Sequence, residues 1–267
     1  METKFLISFL FILQAIINGV DPAIAQSGVK GRHVCRGGDF KSNIIQKNRA
    51  SALNKTLVLI KNSSFDGFYH SKAGDKPEEQ VSVSFLCPLN IRKNQCECCF
   101  NKLLPYLLKN CPKQNEGVAW DIYYYLYCML RYSTGRKIYS VLDDWAWYDW
   151  KNILTVKAVE LVKTMDDLTS KLKEQAAGGN ALRKYAQGTV DYDQDDHSLY
   201  VAAQCTTDLS KADCNECLSK ASNRMRSCCT QKASFEGRVH STNCILWYTH
   251  VSFFNPPIVS NPEEYCN

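Results

Sequence analysis

The sequence predicts an α+β protein of two tandem domains, in which helices pack on one face of an antiparallel sheet. Three observations support this fold class: 14 cysteines in 267 residues, a cysteine spacing that occurs twice, and the same order of helix and strand patterns around each copy. The length is typical of one large domain or of two ordinary ones. The cysteine content indicates disulfide bonds and therefore an oxidising compartment.

The repeat is clearest in the cysteines. Three cysteines separated by eight and then two residues occur in each half of the chain. The two copies are Cys87, Cys96, Cys99 and Cys205, Cys214, Cys217. Eleven residues separate Cys99 from Cys111 in the first half, and eleven separate Cys217 from Cys229 in the second. A spacing matched to this extent indicates two homologous domains.

Strand and helix patterns surround both copies in the same order. Val81, Val83 and Phe85 alternate with serines, which predicts a half-buried strand before the first copy. Capping boxes predict that a helix begins inside each copy. The boxes are Asn94-x-x-Glu97 and Ser210-x-x-Asp213, and the helices run over about Gln95–Lys109 and Lys211–Met225. A further helix is predicted upstream of each copy, near Ile45–Ile60 and Leu154–Leu172. Strands follow the second helix of each half, near Trp120–Arg131 and Gly237–Phe254. This order, helix, strand, strand, helix, strand, strand, is typical of an α+β domain.

The N-terminus predicts secretion. An apolar run over Phe5–Leu13 follows Lys4, and Ala23-Ile24-Ala25 offers a cleavage site before Gln26. The run is shorter than the roughly 20 residues that span a bilayer, and we expect no transmembrane span elsewhere. We therefore expect a signal peptide over 1–25, a first domain over 26–140, a linker over 141–151 and a second domain over 152–267, secreted to the extracellular space.

Charge and sequons add further expectations. The formal net charge is +5, but the charged residues are scattered and no nucleic-acid motif is present, so we expect no nucleic-acid partner. Asn54-Lys55-Thr56 and Asn62-Ser63-Ser64 are N-glycosylation sequons, and a secreted chain can carry glycans at Asn54 and Asn62.

Catalytic and metal sites have little support in the sequence. The two C-x2-C pairs could bind zinc or act in redox chemistry, but a secreted chain with matched cysteines favours structural disulfides. The five histidines have no recognisable spacing to a cysteine, as a Cys/His nucleophile would need. We expect no enzyme activity, no metal and no cofactor.

The residues around the second copy resemble a plant family. Tyr200–Ser210, Cys214–Leu218 and Gly237-Arg238-Val239 before Cys244 are similar to the ginkbilobin-type domain of plant cysteine-rich repeat secretory proteins. This domain is also called the stress-antifungal domain or domain of unknown function 26. The resemblance covers roughly residues 33 to 255, and it implies two helices on a five-stranded antiparallel sheet in each half.

The resemblance also implies a disulfide pairing. It would join Cys35 to Cys111, Cys87 to Cys96, Cys99 to Cys128, Cys205 to Cys214 and Cys217 to Cys244. The second domain departs from the family pattern, because no cysteine lies between Cys128 and Cys205. We expect Cys266 to replace it, paired with Cys229 or with Cys228. Cys98 and the remaining member of that pair would be bridged to each other or free.

Some members of the family bind mannose through an asparagine, an arginine and a glutamate, and the resemblance places only the arginine, at Arg238. Arg36, Ser133 and Thr249 occupy positions where the family would have asparagine or glutamate. Arg238 is therefore the one candidate for ligand binding, with a surface or strand-pairing role as the favoured interpretation.

Two aromatic segments, Trp120–Tyr127 and Trp145–Trp150, could stack on sugars or anchor a partner. Packing between the domains is the favoured interpretation. The resulting functional hypothesis is a secreted, apoplastic binding or signalling module in plant stress or defence. It would act through contacts with cell-surface or apoplastic proteins. The alternative is an antifungal mannose-binding lectin that acts on cell-wall carbohydrate.

Overall fold

The computed structural model describes residues 31–40, 42–64, 66–121, 127–143, 146–153, 158–179, 183–191, 198–230, 234–250 and 252. The two halves contain the same series of elements, in the order strand, helix, strand, strand, helix, strand, strand. The first half comprises β1 (Gly31–Asp39), α1 (Asn43–Asn62), β2 (Phe68–Ala73), β3 (Val81–Leu86), α2 (Lys93–Asn110), β4 (Gln114–Asp121) and β5 (Met129–Thr134). The second half comprises β6 (Ala146–Ile153), α3 (Ala158–Ala177), β7 (Tyr185–Asp191), β8 (Ser198–Cys205), α4 (Lys211–Cys228), β9 (Ser234–Ser241) and β10 (Cys244–Thr249).

Each half forms one five-stranded antiparallel sheet. The strand order is β1-β4-β5-β3-β2 in the first sheet and β6-β9-β10-β8-β7 in the second. The two orders are identical once the strands of each half are numbered from its start, and neighbouring strands are antiparallel throughout the described residues. The predicted α+β fold with two tandem repeats is confirmed.

The helices of each half cover one face of its own sheet. In the first half Phe85 of β3 meets Phe100 of α2 edge to face, with ring centroids 5.2 Å apart. In the second half Leu218 of α4 and Leu246 of β10 are both fully buried in one cluster. Apolar side chains at helical spacing therefore supply the core of each domain.

The opposite faces of the two sheets pack against each other and form an apolar interface, here called the seam. Trp120 of the first half donates a hydrogen bond from Nε1 to the Ser241 carbonyl of the second half, at 3.4 Å. Gln204 accepts from the Leu89 N–H and donates to the Cys87 carbonyl, both at 3.0 Å. The apolar members of the seam are Phe68, Leu86, Val118, Trp120, Met129, Ala202, Ile245 and Trp247.

The seam explains why β3 differs from its prediction. Alternating apolar residues and serines predict a strand with one solvated face, yet all six residues of β3 are buried. Leu86, on the face that a single domain would expose to water, belongs to the seam, so the second half covers this end of the strand. Side-chain alternation cannot reveal such a cover, because it reports only the polarity of each face.

The first strand of each half was missing from the predicted order of elements. Strand β6 begins at Ala146 and forms the edge of the second sheet, so most of the segment 141–151 is strand and the predicted linker is wrong over these residues. Edge strands contact only one neighbouring strand and carry polar residues more readily than central strands. Their hydrophobic pattern is therefore weak.

The two predicted capping boxes had different outcomes. Helix α4 begins as predicted, because the Asp213 N–H donates to the Ser210 hydroxyl at 3.0 Å. Helix α2 begins two residues before the predicted start, with Arg92 at the N-cap. There the Gln95 side chain accepts from the Arg92 N–H at 2.8 Å, so Asn94-x-x-Glu97 is not the box that begins this helix.

Candidate functional site

Disulfide bonds hold the helices to the sheets in both halves. The structure brings together the five cysteine pairs that the family resemblance implies: Cys35–Cys111, Cys87–Cys96, Cys99–Cys128, Cys205–Cys214 and Cys217–Cys244. Their Cα atoms lie 5.6 to 6.5 Å apart, within the usual range for a bridge. In each half one bridge joins a strand end to the first turn of the following helix, and a second joins that helix to the last strand.

The sixth bridge of the described chain is a correction. Cys266 was expected to pair with Cys229 or with Cys228. The structure instead joins Cys228 to Cys229. The two Cα atoms are 3.7 Å apart, as adjacent residues must be. Cys266 itself lies outside the described residues.

The strand registers give the physical reason for this correction. In the first half Cys35 of β1 pairs with Gly117 of β4, and in the second half Trp150 of β6 pairs with Gly237 of β9. The two glycines are equivalent, since each lies directly under the ring of a tyrosine from the neighbouring strand. Trp150 therefore occupies the position that Cys35 has in the first half.

The first half has a disulfide between its edge strand and the end of its second helix, here called the staple, and the described residues of the second half lack this bond. Cys111, at the end of α2, is bonded to the edge strand β1. Its counterpart Cys229, at the end of α4, is bonded to Cys228 instead, and Trp150 occupies the equivalent cysteine position on the edge strand β6. Among the described residues, no disulfide joins the edge strand of the second sheet to its helix.

A groove lies between α4 and the start of β6. Its volume is about 480 Å³, within the range of small-ligand sites. Ala146, Val239 and Ser241 of the sheet contribute to its walls, together with Ala221 of the helix. Further lining residues are polar or charged and come mostly from α4: Asp143, Lys220, Asn223, Arg224 and Ser227.

Two stacked aromatic rings lie beside this groove. Tyr148 and Trp150 of β6 are 40% and 39% exposed, and their ring centroids are 6.4 Å apart with an interplanar angle of 15°. Arg224 lies over the Tyr148 ring, with Cζ 5.4 Å from the centroid, so one guanidinium belongs to both features. We call the groove and these two rings the open edge.

The open edge was only partly foreseen. The segment Trp145–Trp150 was expected to pack between the domains, but Tyr148 and Trp150 are exposed, whereas Trp120 and Trp247 contribute to the seam. Trp145 lies outside the described residues. No sequence motif marks Asn223 or Arg224. The available signal was that no cysteine lies between Cys128 and Cys205. Without a cysteine there, no disulfide can join the edge strand of the second sheet to the end of α4.

The predicted ligand residue Arg238 lies inside the seam. It is 1% exposed, forms an ion pair with Glu236 of the same strand and stacks over the Tyr127 ring with Cζ 3.8 Å from the centroid. The Tyr127 hydroxyl donates to Glu236 at 3.0 Å and completes a buried network between the halves. Of the two roles in the favoured interpretation, the surface one is wrong, whereas Arg238 does lie in a paired strand. A sugar cannot reach this buried guanidinium in the folded chain.

The rest of the mannose-binding set is also absent. By register Lys151 is equivalent to Arg36, the residue after Cys35, so neither half has the family's asparagine at this position. Ser133 and Thr249, at the glutamate positions, are both 2% exposed. The described residues thus hold neither the side chains nor the access that the mannose-binding mode requires.

His240, also at the seam, makes stability depend on pH. Burial, and secondarily the charge of Arg238, lower the pKa of His240 to about 3. Because an unfolded chain binds this proton near pH 6.5, the free energy of unfolding should fall as pH falls from 6.5 towards 3, by up to about 1.4 kcal/mol per pH unit from this residue. Urea unfolding of the native chain and of His240→Gln over this pH range should show a shallower slope in the variant. Equal slopes in the two proteins would contradict this assignment.

One cluster has the composition of a metal site. Cys99, Asp121 and Cys128 place ligand atoms within 4.8 Å of one another, but the two sulfurs are bonded to each other. Cys99 Sγ lies 3.2 Å from a carboxylate oxygen of Asp121, which is fully buried. Cysteine binds a metal ion as a thiolate, and two sulfurs bonded to each other are not thiolates. These residues are therefore a disulfide beside a buried carboxylate and not a metal site.

The two sequon asparagines are accessible. Asn54 and Asn62 lie on α1, and both side chains are exposed. Thr56 of the first sequon is fully buried and contacts the Ser71 hydroxyl at 2.7 Å. A glycan on Asn54 or Asn62 would project from the helical face of the first domain, away from the seam, and we retain both as proposed acceptors.

Cys98 gives a prediction about the chain's covalent structure. It is disulfide-bonded, yet the other described cysteines pair among themselves. The sequence leaves Cys266 as the remaining cysteine, and we propose that it is the partner. Non-reducing peptide mapping of the oxidised protein should recover a linked pair of Cys98 and Cys266 peptides. A Cys266 peptide linked to Cys228 or Cys229 would contradict this pairing.

Comparison with known proteins identifies the family. The model of the salt stress response/antifungal family matches residues 34–135 and 157–251. Cysteine-rich repeat secretory protein 1 of Arabidopsis thaliana is 31% identical over 79% of this chain and 60% of its own length. Cysteine-rich receptor-like protein kinase 28 of the same plant is 31% identical over 73% of this chain, which spans only 28% of that kinase.

A solved structure agrees with the fold described above. The tandem DUF26 ectodomain of the Arabidopsis thaliana cysteine-rich receptor-like protein PDLP8 matches 82% of this chain and 96% of its own, with a TM-score of 0.65 at 18% identity. Within the described residues, none of the helices combines the length and the apolar character that crossing a bilayer requires. The signal peptide predicted over 1–25 lies outside those residues. Two tandem copies of one domain, with its bridges and its sheet order, thus make this chain a member of the salt stress response/antifungal (DUF26) family of plant cysteine-rich secreted proteins and receptor ectodomains.

Proposed function

We propose that this chain is an extracellular binding module that acts in the plant apoplast, in stress or defence, by contacting other proteins through its open edge. The observation that carries the proposal is the unstapled edge strand β6, with Tyr148 and Trp150 exposed beside a groove. The relatives, a secretory protein and receptor-like proteins, support the extracellular setting.

The composition of the open edge favours a protein partner. Tryptophan, tyrosine and arginine carry much of the binding energy at protein interfaces, and Tyr148, Trp150 and Arg224 lie together here. The edge strand also has backbone groups directed away from its single neighbour β9, which an extended segment of a partner can pair with. The groove provides a pocket for a side chain of that segment.

Binding, rather than catalysis, is the activity that these residues support. Every described cysteine is disulfide-bonded, so the described part of the chain has no thiol for nucleophilic catalysis. The mannose-lectin alternative would need Arg238, which the seam encloses. We therefore expect a panel of mannose-containing glycans to show no binding that depends on Arg238.

The test measures binding of the labelled, oxidised mature protein to plant protoplasts by flow cytometry, with excess unlabelled protein as competitor. We expect saturable binding that the Tyr148→Ala/Trp150→Ala variant weakens by roughly thirtyfold, because loss of an interface anchor costs about 2 kcal/mol or more. Val159→Ala, at a position on α3 that is 80% exposed, is the control and should bind normally. Equal binding by the double variant would refute the open edge as the contact surface.

A further inference from the structure

A second pocket lies in the first domain, far along the sequence from the open edge. It is formed by the edge strand β2, its neighbour β3 and the chain that follows β5, and its volume is about 400 Å³. The lining residues that matter for its chemistry are His70, Lys72, Gln80, Arg136, Lys137 and Tyr139. We call it the basic pocket.

Two of the three cationic side chains that line the basic pocket form no ion pair among the described residues. Its lining includes Lys72, Arg136 and Lys137 but no carboxylate. Arg136 is committed elsewhere, since it forms ion pairs with Glu116 at 3.4 Å and with Asp143 at 3.1 Å. Among the described residues, the ammonium groups of Lys72 and Lys137 have no carboxylate within salt-bridge distance. Two cations are therefore available to an anionic ligand.

An exposed aromatic ring forms one wall of the pocket. Tyr139 is 42% exposed and stacks near Phe68, with ring centroids 6.5 Å apart and an interplanar angle of 22°. The His70 ring lies 4.6 Å from the same tyrosine. Burial lowers the pKa of His70; the charge of Lys72 lowers it further, and the charge of Asp208 raises it in part. The imidazole is therefore neutral at pH 7 and can both donate and accept a hydrogen bond.

Contacts between the two halves hold this wall in place. The backbone N–H of Ser140, next to Tyr139, donates to the Asp208 carboxylate, and the Ser140 hydroxyl donates to the Asp208 carbonyl at 3.0 Å. The Gly135 N–H donates to the Gln80 carbonyl at 2.9 Å, and its φ of +66° suits glycine. Segment 135–140 is therefore fixed at both ends, and the pocket exists before any ligand arrives.

We infer that the basic pocket binds an acidic saccharide, a chain of uronic-acid residues. The apolar face of a sugar ring would lie on Tyr139, its carboxylate would meet Lys72 and Lys137, and its hydroxyls would hydrogen-bond to His70 and Gln80. A flat aromatic ring beside amide and imidazole groups suits a polyhydroxylated ring better than it suits a simple anion. This site is distinct from the open edge and does not depend on the function proposed for it.

The test is isothermal titration calorimetry of the oxidised mature protein with oligogalacturonate. A fully methyl-esterified oligomer of equal length is the neutral counterpart, and inorganic sulfate and an oligoglutamate peptide are the non-saccharide anions. We expect the free acid to bind at least about tenfold more tightly than each of these three, because the two cations and the aromatic wall must both be engaged. Equal affinity for the methyl ester, for sulfate or for the peptide would overturn the assignment to an acidic saccharide.

Matched variants locate the site. Lys72→Ala/Lys137→Ala should weaken oligogalacturonate binding about tenfold, and Lys163→Ala/Lys171→Ala, which removes two exposed lysines from α3, should leave it unchanged. Tyr139→Ala should weaken binding at unchanged net charge, whereas Tyr139→Phe should retain it. Thermal unfolding checks that each variant is folded. Equal losses in the two lysine pairs would indicate a general charge effect and would overturn the site.

Discussion

The Trp120→Ala variant is expected to lose about 3 to 5 kcal/mol of its free energy of unfolding, the range found for large aromatic residues truncated in a core. Trp120 is 1% exposed and belongs to the seam, where it packs with Ile245 and Trp247 of the other half. Alanine would leave a cavity between two sheets whose strands are fixed by pairing and by disulfides. The indole N–H that reaches Ser241 would also be lost.

Urea unfolding of the oxidised protein measures this loss, and Trp150→Ala is the matched control. Trp150 is 39% exposed and is not among the described residues of the seam, so its truncation should cost less than half as much. Both substitutions remove the same side chain, and the difference between them therefore reports burial. Similar losses from the two variants would contradict the seam as a shared core.

The Trp150→Cys/Cys228→Ser variant is expected to form a new disulfide between position 150 and Cys229. The substitution reproduces the first half, where Cys35 pairs with Gly117 in the same register and bonds to Cys111 with a Cα separation of 5.6 Å. The first-half staple closes a loop with a sequence separation of 76, and a loop of similar length would contribute about 4 kcal/mol in the chain-entropy model.

Peptide mapping under non-reducing conditions detects this bridge, and urea unfolding measures its contribution. Trp150→Ala/Cys228→Ser is the control, since it removes the tryptophan and the Cys228–Cys229 bridge but cannot form the staple. The staple variant should be the more stable of the two by several kcal/mol. A free thiol at position 150 in the purified protein would show that the two edge strands are not equivalent.

Much of the domain fold could be predicted because cysteine spacing reports geometry directly. A cysteine at a strand end, followed by one in the first turn of the next helix, fixes how the two elements meet. Cys87–Cys96 and Cys205–Cys214 do this in each half. The capping box at Ser210 predicted the start of α4 accurately. The box predicted for α2 was misplaced, because the side chain that accepts from the N-cap backbone belongs to Gln95.

Contacts between the halves could not be predicted in the same way. The burial of Arg238 and of β3 depends on the second sheet covering the first, which no local pattern records. The exposure of Trp150 depends on strand register, and a shift of one residue would turn its side chain to the other face. The cysteine missing from the second half is the sequence feature that best indicates the open edge, because it implies that the second sheet lacks the staple of the first.

Site-directed photo-crosslinking tests the open edge most directly. Tyr148 of β6 and, in a second protein, Val34 of the equivalent edge strand β1 are each replaced by p-benzoylphenylalanine. Val34 is 39% exposed, close to the 40% of Tyr148. Each protein is bound to plant protoplasts and irradiated. We predict crosslinks from position 148 that excess native protein abolishes, and few from position 34. Crosslinks of equal yield from both positions, or from position 34 alone, would contradict the open edge as the binding surface.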